Sequence, residues 1–312
     1  MKWNILITDG LEGNGQAILR AQAQVDDRSG ISAEELRAIL PAYDALIVRG
    51  RTRVTADLLS QAPRLKVIGR AGVGVDNIDL EAARKQGIIV VNAPLATTVA
   101  VAELTFGLLL AMARDIPRAD AAMKQGKWLK KELEGVELQG KTLGLIGFGR
   151  IGREVAHRAL AFGMHILAYD PLIPEDVIRQ ANATPCALDE LLRRSDFVSI
   201  HVPLTEETRN LLDAAAFAKM KPGLRLVCTA RGGIVDESAL LQALKDGRVA
   251  AAALDVFAQE PPGASELICH PSVIATPHIG AQTVEAQARA AEMIAQEVMA
   301  ALRNEPLRWR VV

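Results

Sequence analysis

Three side chains with complementary chemistry each follow an apolar, strand-like run. Arg231 follows Leu224–Cys228 in Thr-Ala-Arg-Gly-Gly, Glu260 follows Ala250–Val256 in Gln-Glu-Pro-Pro, and His278 follows Ser272–Thr276 in Pro-His-Ile-Gly. A histidine titrates near neutral pH and can shuttle the proton of an alcohol. A glutamate beside it holds one tautomer and favours its protonated form. An arginine offers a rigid fork of donors that binds a carboxylate and polarises a carbonyl. If they converge, the three form a device for proton transfer at an alcohol or ketone next to a carboxylate.

A second pattern concerns phosphate. Thr142-Leu-Gly-Leu-Ile-Gly-Phe-Gly-Arg-Ile-Gly places Gly147, Gly149 and Gly152 between a strand and an amphipathic helix carrying Val155, Ala156, Ala159 and Leu160. A further strand, Met164–Tyr169, ends in Asp170, 18 residues after Gly152. A lone Gly-x-Gly-x-x-Gly is weak, but strand, turn, helix, strand and acid in this order are what a dinucleotide site requires. Gly147 makes the tight turn, Gly149 admits the pyrophosphate to the positive helix end, and Gly152 permits close packing. Asp170 would accept from the adenosine ribose hydroxyls and repel a 2′-phosphate, and Pro171 rather than arginine follows it. The expected cofactor is therefore NAD. Gly13-Asn-Gly15 and Gly72-Val-Gly74 lack the third glycine.

Arginines end two other strands. Ala45–Val48 runs into Arg49-Gly-Arg51-Thr-Arg53, and Leu65–Gly69 into Arg70. Ligands of open α/β sheets bind beyond the carboxyl ends of the strands, so an anionic substrate is expected in a cleft there. For Arg51 and Arg53 a solvated rim is the competing reading. His201 ends another strand, beside the cofactor or as a structural histidine. His157, His165 and His270 are assigned bland roles on a helix, an interior strand and a loop. No His, Cys or carboxylate cluster has metal-ligand spacing, so no metal is expected.

These residues need a scaffold of alternating elements. Candidate strands are Asn4–Thr8, Ala45–Val48, Leu65–Gly69, Ile88–Val91, Thr142–Gly147, Met164–Tyr169, Asp196–Ile200, Leu224–Cys228, Ala250–Val256 and Ser272–Thr276. They are apolar without strict alternation, as strands buried on both faces should be. Ser32-Ala-Glu-Glu35 reads as a capping box, and Asp236 as the cap of a helix over Glu237–Lys245 that Gly247 ends. Alternating strands and helices predict an α/β fold with parallel sheets and right-handed crossovers. Thr98–Lys124 reads as one long helix without a strand partner, a bridge between two units. Thr283–Leu302 reads as a helix that packs back across the boundary. The expected division is an outer domain, 1–97 plus 285–312, and an inserted domain, 98–284.

Composition excludes several classes. The 312 residues carry 36 Lys plus Arg against 37 Asp plus Glu, which argues against nucleic acid or an anionic membrane as partner. Aromatic residues are only 4%, too few for base-stacking platforms. The odd, dispersed cysteines Cys186, Cys228 and Cys269 fit a reducing cytoplasm rather than a disulfide framework. No secretion signal or membrane-length apolar run is read, so the expectation is a soluble cytoplasmic protein.

The chain resembles the D-isomer-specific 2-hydroxyacid dehydrogenases over nearly its whole length. The motifs are Gly-Arg-Ala-Gly-Val-Gly-Val-Asp-Asn-Ile-Asp at 69–79, Gly-Phe-Gly-Arg-Ile-Gly at 147–152, Ala-Arg-Gly-Gly-Ile-Val-Asp-Glu at 230–237, Ala-Leu-Asp-Val-Phe at 253–257 and Thr-Pro-His-Ile-Gly at 276–280. Val48-Arg-Gly-Arg-Thr, Gly126-Lys-Trp and the 69–74 segment look most like the branch acting on phosphoglycerate. The resemblance implies two doubly wound parallel-sheet domains, a Rossmann NAD-binding domain inserted in a flavodoxin-like substrate domain. It implies oxidation of a small anionic D-2-hydroxy acid to its 2-keto acid, with Arg231, Glu260 and His278 as the catalytic trio. It adds Arg150, Ile151, His201, Thr229, Ala230, Asp255 and Gly280 to the cofactor set, and Gly72, Val73 and Gly74 to Arg49 and Arg70 around the substrate. It also implies a homodimer or tetramer built through the nucleotide domain, with Lys130 or Lys131 near the partner's site. A glyoxylate or hydroxypyruvate reductase, or an NAD-sensing interaction protein, would share the scaffold. Two departures stand out: Ala96 replaces a loop glycine, and Cys228 stands where asparagine is frequent. Longer members carry a serine-binding regulatory domain. With the sequence ending at Val312, no serine feedback is expected.

Overall fold

The computed structural model describes residues 2–312. Along the chain run β1 (Trp3–Ile7), α1 (Gly13–Arg20), β2 (Ala23–Asp27), α2 (Ala33–Ile39), β3 (Ala45–Val48), α3 (Ala56–Ser60), β4 (Val67–Arg70), α4 (Leu80–Lys85) and β5 (Ile89–Asn92). Then come α5 (Thr98–Ala113), α6 (Ile116–Lys124), β6 (Thr142–Ile146), α7 (Arg150–Ala161), β7 (His165–Tyr169), α8 (Glu175–Gln180), β8 (Thr184–Pro185), α9 (Leu188–Arg194) and β9 (Phe197–Ile200). The last are α10 (Ala214–Lys219), β10 (Leu224–Cys228), α11 (Glu237–Lys245), β11 (Val249–Leu254), β12 (Val273–Ala275) and α12 (Val284–Leu302). The chain divides into two compact units, one of residues up to Thr98 with Ala281–Val312, the other Val99–Gly280.

In the first unit five parallel strands run in the order β2-β1-β3-β4-β5, the flavodoxin-like arrangement. Strand alternation divides the core. Ile5, Ile7, Ile47 and Val67 pack with Leu19 of α1 and with Ile294 and Val298 of α12. Leu6, Leu46, Val48 and Ile68 face the other way, onto Leu36, Leu58, Leu59 and Ala83 of α2 to α4. Gly15 of α1 lies so close to α12 that a Cβ would stand 2.6 Å from the Ala291 carbonyl oxygen, so this glycine serves helix packing. The C-terminal residues return to the β5 edge, where Val311 N donates to Val90 O at 2.7 Å. Glu297, buried in α12, secures that return by accepting from the backbone N–H groups of Arg308 and Trp309, each at 3.1 Å.

The second unit has seven parallel strands in the order β12-β11-β10-β9-β6-β7-β8. Counted from β6 this is the doubly wound 3-2-1-4-5-6 order with one strand more, and the switch point lies between β6 and β9. Leu143, Leu145, Ile166 and Ala168 pack with Leu109 and Met112 of α5 and Val155 of α7. Ile146, Ile200, Leu226 and Leu254 pack on the other face with Leu191, Phe217 and Leu240 of α9 to α11.

Two sequence readings need correction. The helix expected over Thr98–Lys124 is two helices, because Asp115 adopts φ 51°, the left-handed region. Pro117 in the first turn of α6 has no N–H to give an α5 carbonyl, and the Ala113 carbonyl accepts instead from Val136 N at 2.8 Å. β2 is a strand absent from the sequence reading. Its Ala-Gln-Val-Asp-Asp sequence is polar because it is a partly exposed sheet edge. His165 does lie on an interior strand, as its exposed first residue: it opens β7, between β6 and β8.

Candidate active site

The glycine turn stands at the switch point of the second unit, between the ends of β6 and β9. Gly147 has φ 95°, and a Cβ there would lie 2.7 Å from the carbonyl carbon and oxygen of His201, the residue after β9. A Cβ at Gly152 would lie 2.3 Å from the Gly147 carbonyl oxygen, so the third glycine lets the first turn of α7 close over the loop. A Cβ at Gly149 would meet no protein atom within 4 Å, which leaves that space to a ligand. Gly149 is the N-cap of α7 without a side-chain cap, and no acidic residue stands in the first turn, so the helix end keeps its N–H donors and positive potential. Arg150, exposed, and Ile151, half-buried, open the helix. Asp170 is pinned by Phe148 N on Oδ2 at 2.7 Å and Leu172 N on Oδ1 at 2.9 Å. Each oxygen keeps a lone pair for a ribose hydroxyl. These residues fit a dinucleotide.

His201 underlies this turn. Its backbone N–H donates to Ile146 O at 2.7 Å, and Nε2 lies 2.9 Å from Ser199 Oγ. Burial pushes its imidazole down to about 3, so the ring is neutral at physiological pH. The Thr229 hydroxyl lies 2.8 Å from Thr105 Oγ1 of α5, and Ala230 beside it is partly buried.

The sheet order brings Arg231, Glu260 and His278 to the ends of the adjacent strands β10, β11 and β12. His278 Nδ1 and Glu260 Oε2 are 2.7 Å apart. Glu260 Oε1 accepts from Phe257 N at 3.1 Å, which fixes the carboxylate plane. His278 has φ 53°, a sparsely populated conformation for a non-glycine residue and one typical of functional sites. The Asp255 carboxylate, fully buried, holds that loop. It accepts from Thr276 Oγ1 at 2.6 Å, Ile279 N at 2.8 Å and Gly280 N at 2.8 Å. Arg231 shares a turn with Gly232, where a Cβ would stand 1.8 Å from the Phe257 carbonyl oxygen, so its segment abuts the Glu260 loop. Arg231 Nη1 donates to Ala230 O at 2.6 Å. Sequence reading placed Asp255 with the cofactor, and its anchoring of the histidine loop was not legible from spacing.

In the first unit, Arg49 follows β3 at its junction with β1. Its backbone N–H donates to Asp9 Oδ2 at 2.8 Å, and its guanidinium pairs with Glu12 at 3.1 Å. Asp9 also accepts from Thr52 N at 3.0 Å, and Asn77 Nδ2 donates to the carbonyls of Arg49 and Thr52 at 2.9 and 2.6 Å. Neither Asp9 nor Asn77 was singled out in the sequence. Arg51 donates to Thr8 O at 2.7 Å and Ile31 O at 3.0 Å and pairs with Asp9 at 3.1 Å. Arg53 is exposed. Arg70 ends β4 with its guanidinium across Gly72, where a Cβ would fall 1.5 Å from Nη1. Val73 O accepts from Asn92 Nδ2 at 2.7 Å, and Gly74 is half-buried. Ala96 is buried, and its carbonyl accepts from Arg289 Nε at 3.1 Å.

His157 is exposed on α7, and His270 is half-buried with Nδ1 accepting from Ser272 N at 3.2 Å. Lys130 and Lys131 are exposed. A cavity of about 580 Å³ lined by Leu110, Gln139, Phe162 and Gly163 lies where β6 and β7 begin, at the sheet end opposite this chemistry. Among the described residues no cluster of His, Cys, Asp or Glu could hold a metal ion, and no helix is long and apolar enough to cross a membrane.

A doubly wound sheet, a glycine turn at its switch point and an acidic residue at the next strand end define a dinucleotide-binding domain. Residues 106–280 match the family described as D-isomer specific 2-hydroxyacid dehydrogenase, NAD binding domain, and the chain belongs to that family. It is 50% identical over 302 residues to a D-3-phosphoglycerate dehydrogenase of Methanocaldococcus jannaschii, an alignment covering 96% of this chain and 58% of that protein. The chain thus spans little more than half the length of the curated relatives it matches. Among solved structures it resembles a glyoxylate reductase from Paecilomyes thermophila, with TM-score 0.91 and 30% identity over 99% of this chain and 98% of that one. It also resembles a D-lactate dehydrogenase of Aquifex aeolicus complexed with NAD and lactic acid, with TM-score 0.85 and 32% identity over 97% of this chain and 96% of that one.

Proposed function

We propose that this chain catalyses NAD-dependent oxidation of 3-phospho-D-glycerate to 3-phosphohydroxypyruvate, the first step of serine biosynthesis. The observation that carries the chemistry is the hydrogen-bonded Glu260–His278 pair at the carboxyl edge of an NAD-binding sheet. The relatives named D-3-phosphoglycerate dehydrogenase support the choice of substrate. NAD, when bound, supplies the acceptor for the hydride leaving C2. Glu260 engages Nδ1 of His278, so Nε2 is the atom that takes the hydroxyl proton as the carbonyl forms. Glu260 orients the ring and offsets the charge it gains. Arg231 binds the substrate carboxylate and, in reduction, polarises the keto oxygen.

Gly147, Gly149, Arg150, Ile151, Gly152, Asp170, His201, Thr229, Ala230, Asp255 and Gly280 form the proposed NAD contacts. Arg49, Arg70, Gly72, Val73 and Gly74 form the proposed substrate contacts. The protein would act as a cytoplasmic homodimer. A second reading, a glyoxylate or hydroxypyruvate reductase, is favoured by the arginines themselves. Arg51 is committed to Asp9, Thr8 and Ile31, and Arg49 to Glu12, which leaves less cationic capacity for a phosphate. Steady-state NADH oxidation with 3-phosphohydroxypyruvate, hydroxypyruvate and glyoxylate decides between them. A strong kcat/KM preference for the phosphorylated acid supports the first, and equal or better use of the plain acids supports the second.

A further inference from the structure

The segment carrying Glu260 is an exposed loop, yet Glu260 must stay within 2.7 Å of His278. What holds it is partly a second glutamate. Ala258 N donates to Glu237 Oε1 at 2.6 Å. Glu237 is the first residue of α11, which starts just after the turn bearing Arg231. It is not needed as the helix cap: Asp236 Oδ1 accepts from Ser238 N at 2.9 Å and Ala239 N at 3.0 Å. Ala258 is exposed and its bond to Glu237 lies at the surface, so the bond orders the loop rather than rescuing a donor from the core. Beside it Gly232 abuts the Phe257 carbonyl, and the Phe257 N–H reaches Glu260 Oε1. The chain of contacts thus runs from α11 through Ala258 and Phe257 to the Glu260 carboxylate.

We infer that Glu237 is a positioning residue for the Glu260–His278 pair, tying the loop of Glu260 to the helix that follows Arg231. This rests on the acid–base reading above. Its effect passes through Glu260, so it vanishes when Glu260 has no carboxylate to place. The test is a double-mutant cycle on the whole chain, measuring kcat for 2-keto acid reduction and the Kd of NADH in the same samples. Glu237→Ala is expected to lower kcat about tenfold with NADH affinity unchanged, the mark of an interaction that matters in the chemical step. Glu237→Gln keeps an accepting oxygen and should retain most of the turnover. In the Glu260→Ala background, adding Glu237→Ala should change kcat by less than about twofold, because coupled residues do not lose activity additively. Equal losses in both backgrounds overturn the inference while leaving the acid–base pair intact, as does Glu237→Gln turning over as slowly as Glu237→Ala. Full turnover by Glu260→Ala alone overturns the acid–base reading and this inference with it.

Discussion

Replacing Asp255 by asparagine tests how the His278 loop is held. The carboxylate is fully buried and accepts three hydrogen bonds, two on Oδ1 from Thr276 Oγ1 and Ile279 N and one on Oδ2 from Gly280 N. An amide oxygen placed at Oδ1 keeps the first two. Its NH₂ then faces the Gly280 N–H, donor against donor, in a buried site. One lost charge-assisted bond and one unsatisfied buried donor together cost about 2–4 kcal/mol. For a unit of this size, a loss of about 2 kcal/mol lowers Tm by about 4–8 °C. The function should suffer more than the fold. His278 sits at φ 53°, a conformation costing about 1–3 kcal/mol that the surrounding contacts must hold, and a loosened loop lets it relax away from Glu260. We expect kcat to fall about 10–100-fold, the scale of a misplaced acid–base group. Denaturant unfolding followed by circular dichroism, with kcat and NADH binding on the same preparation, measures each part. An Asp255→Asn protein with unchanged midpoint and kcat refutes the reasoning.

Other outcomes follow from single contacts. Gly152→Ala sets a methyl 2.3 Å from the Gly147 carbonyl oxygen, so NADH fluorescence titration should show at least about tenfold weaker binding; unchanged affinity contradicts the packing argument. Asp170→Ala removes the acceptor of the Phe148 and Leu172 N–H groups and should weaken NADH binding by about 1–3 kcal/mol with little change in KM for the keto acid. His201 is held neutral, with its folded value at about 3 against 6.5 in the unfolded chain. Between those values the unfolded chain binds a proton that the folded one does not, so stability falls as pH drops through this window and is complete above 6.5. Urea unfolding at pH 7 and pH 5 should show a loss that His201→Gln lessens by about 1–2 kcal/mol, and parallel losses would exclude the histidine as its source.

The chemistry was legible where it is local. Gly147, Gly149, Gly152 and Asp170 lie within one strand–helix–strand unit, so their spacing carries their geometry. The strand ends bearing Arg231, Glu260 and His278 were also legible, because each apolar run marks its own end. Their proximity was not, since it depends on β10, β11 and β12 being neighbours in the sheet. What was not legible shares a physical origin. The contacts of Arg51 gave no sequence signal, because its partners Thr8, Asp9 and Ile31 are remote in sequence and meet it through the pairing of β1 with β2 and β3. Asp255 and Glu237 give no sequence signal of their roles, because their partners are backbone N–H groups that any residue supplies. The break at Asp115 could have been seen, since Pro117 is incompatible with a continuous helix.

The most direct measurement is NADH oxidation with 3-phosphohydroxypyruvate by His278→Ala against the unaltered protein, with NADH affinity determined on both. His278 as the proton carrier predicts a loss of kcat of at least about 10²-fold at unchanged NADH affinity. Turnover that survives the substitution would contradict it.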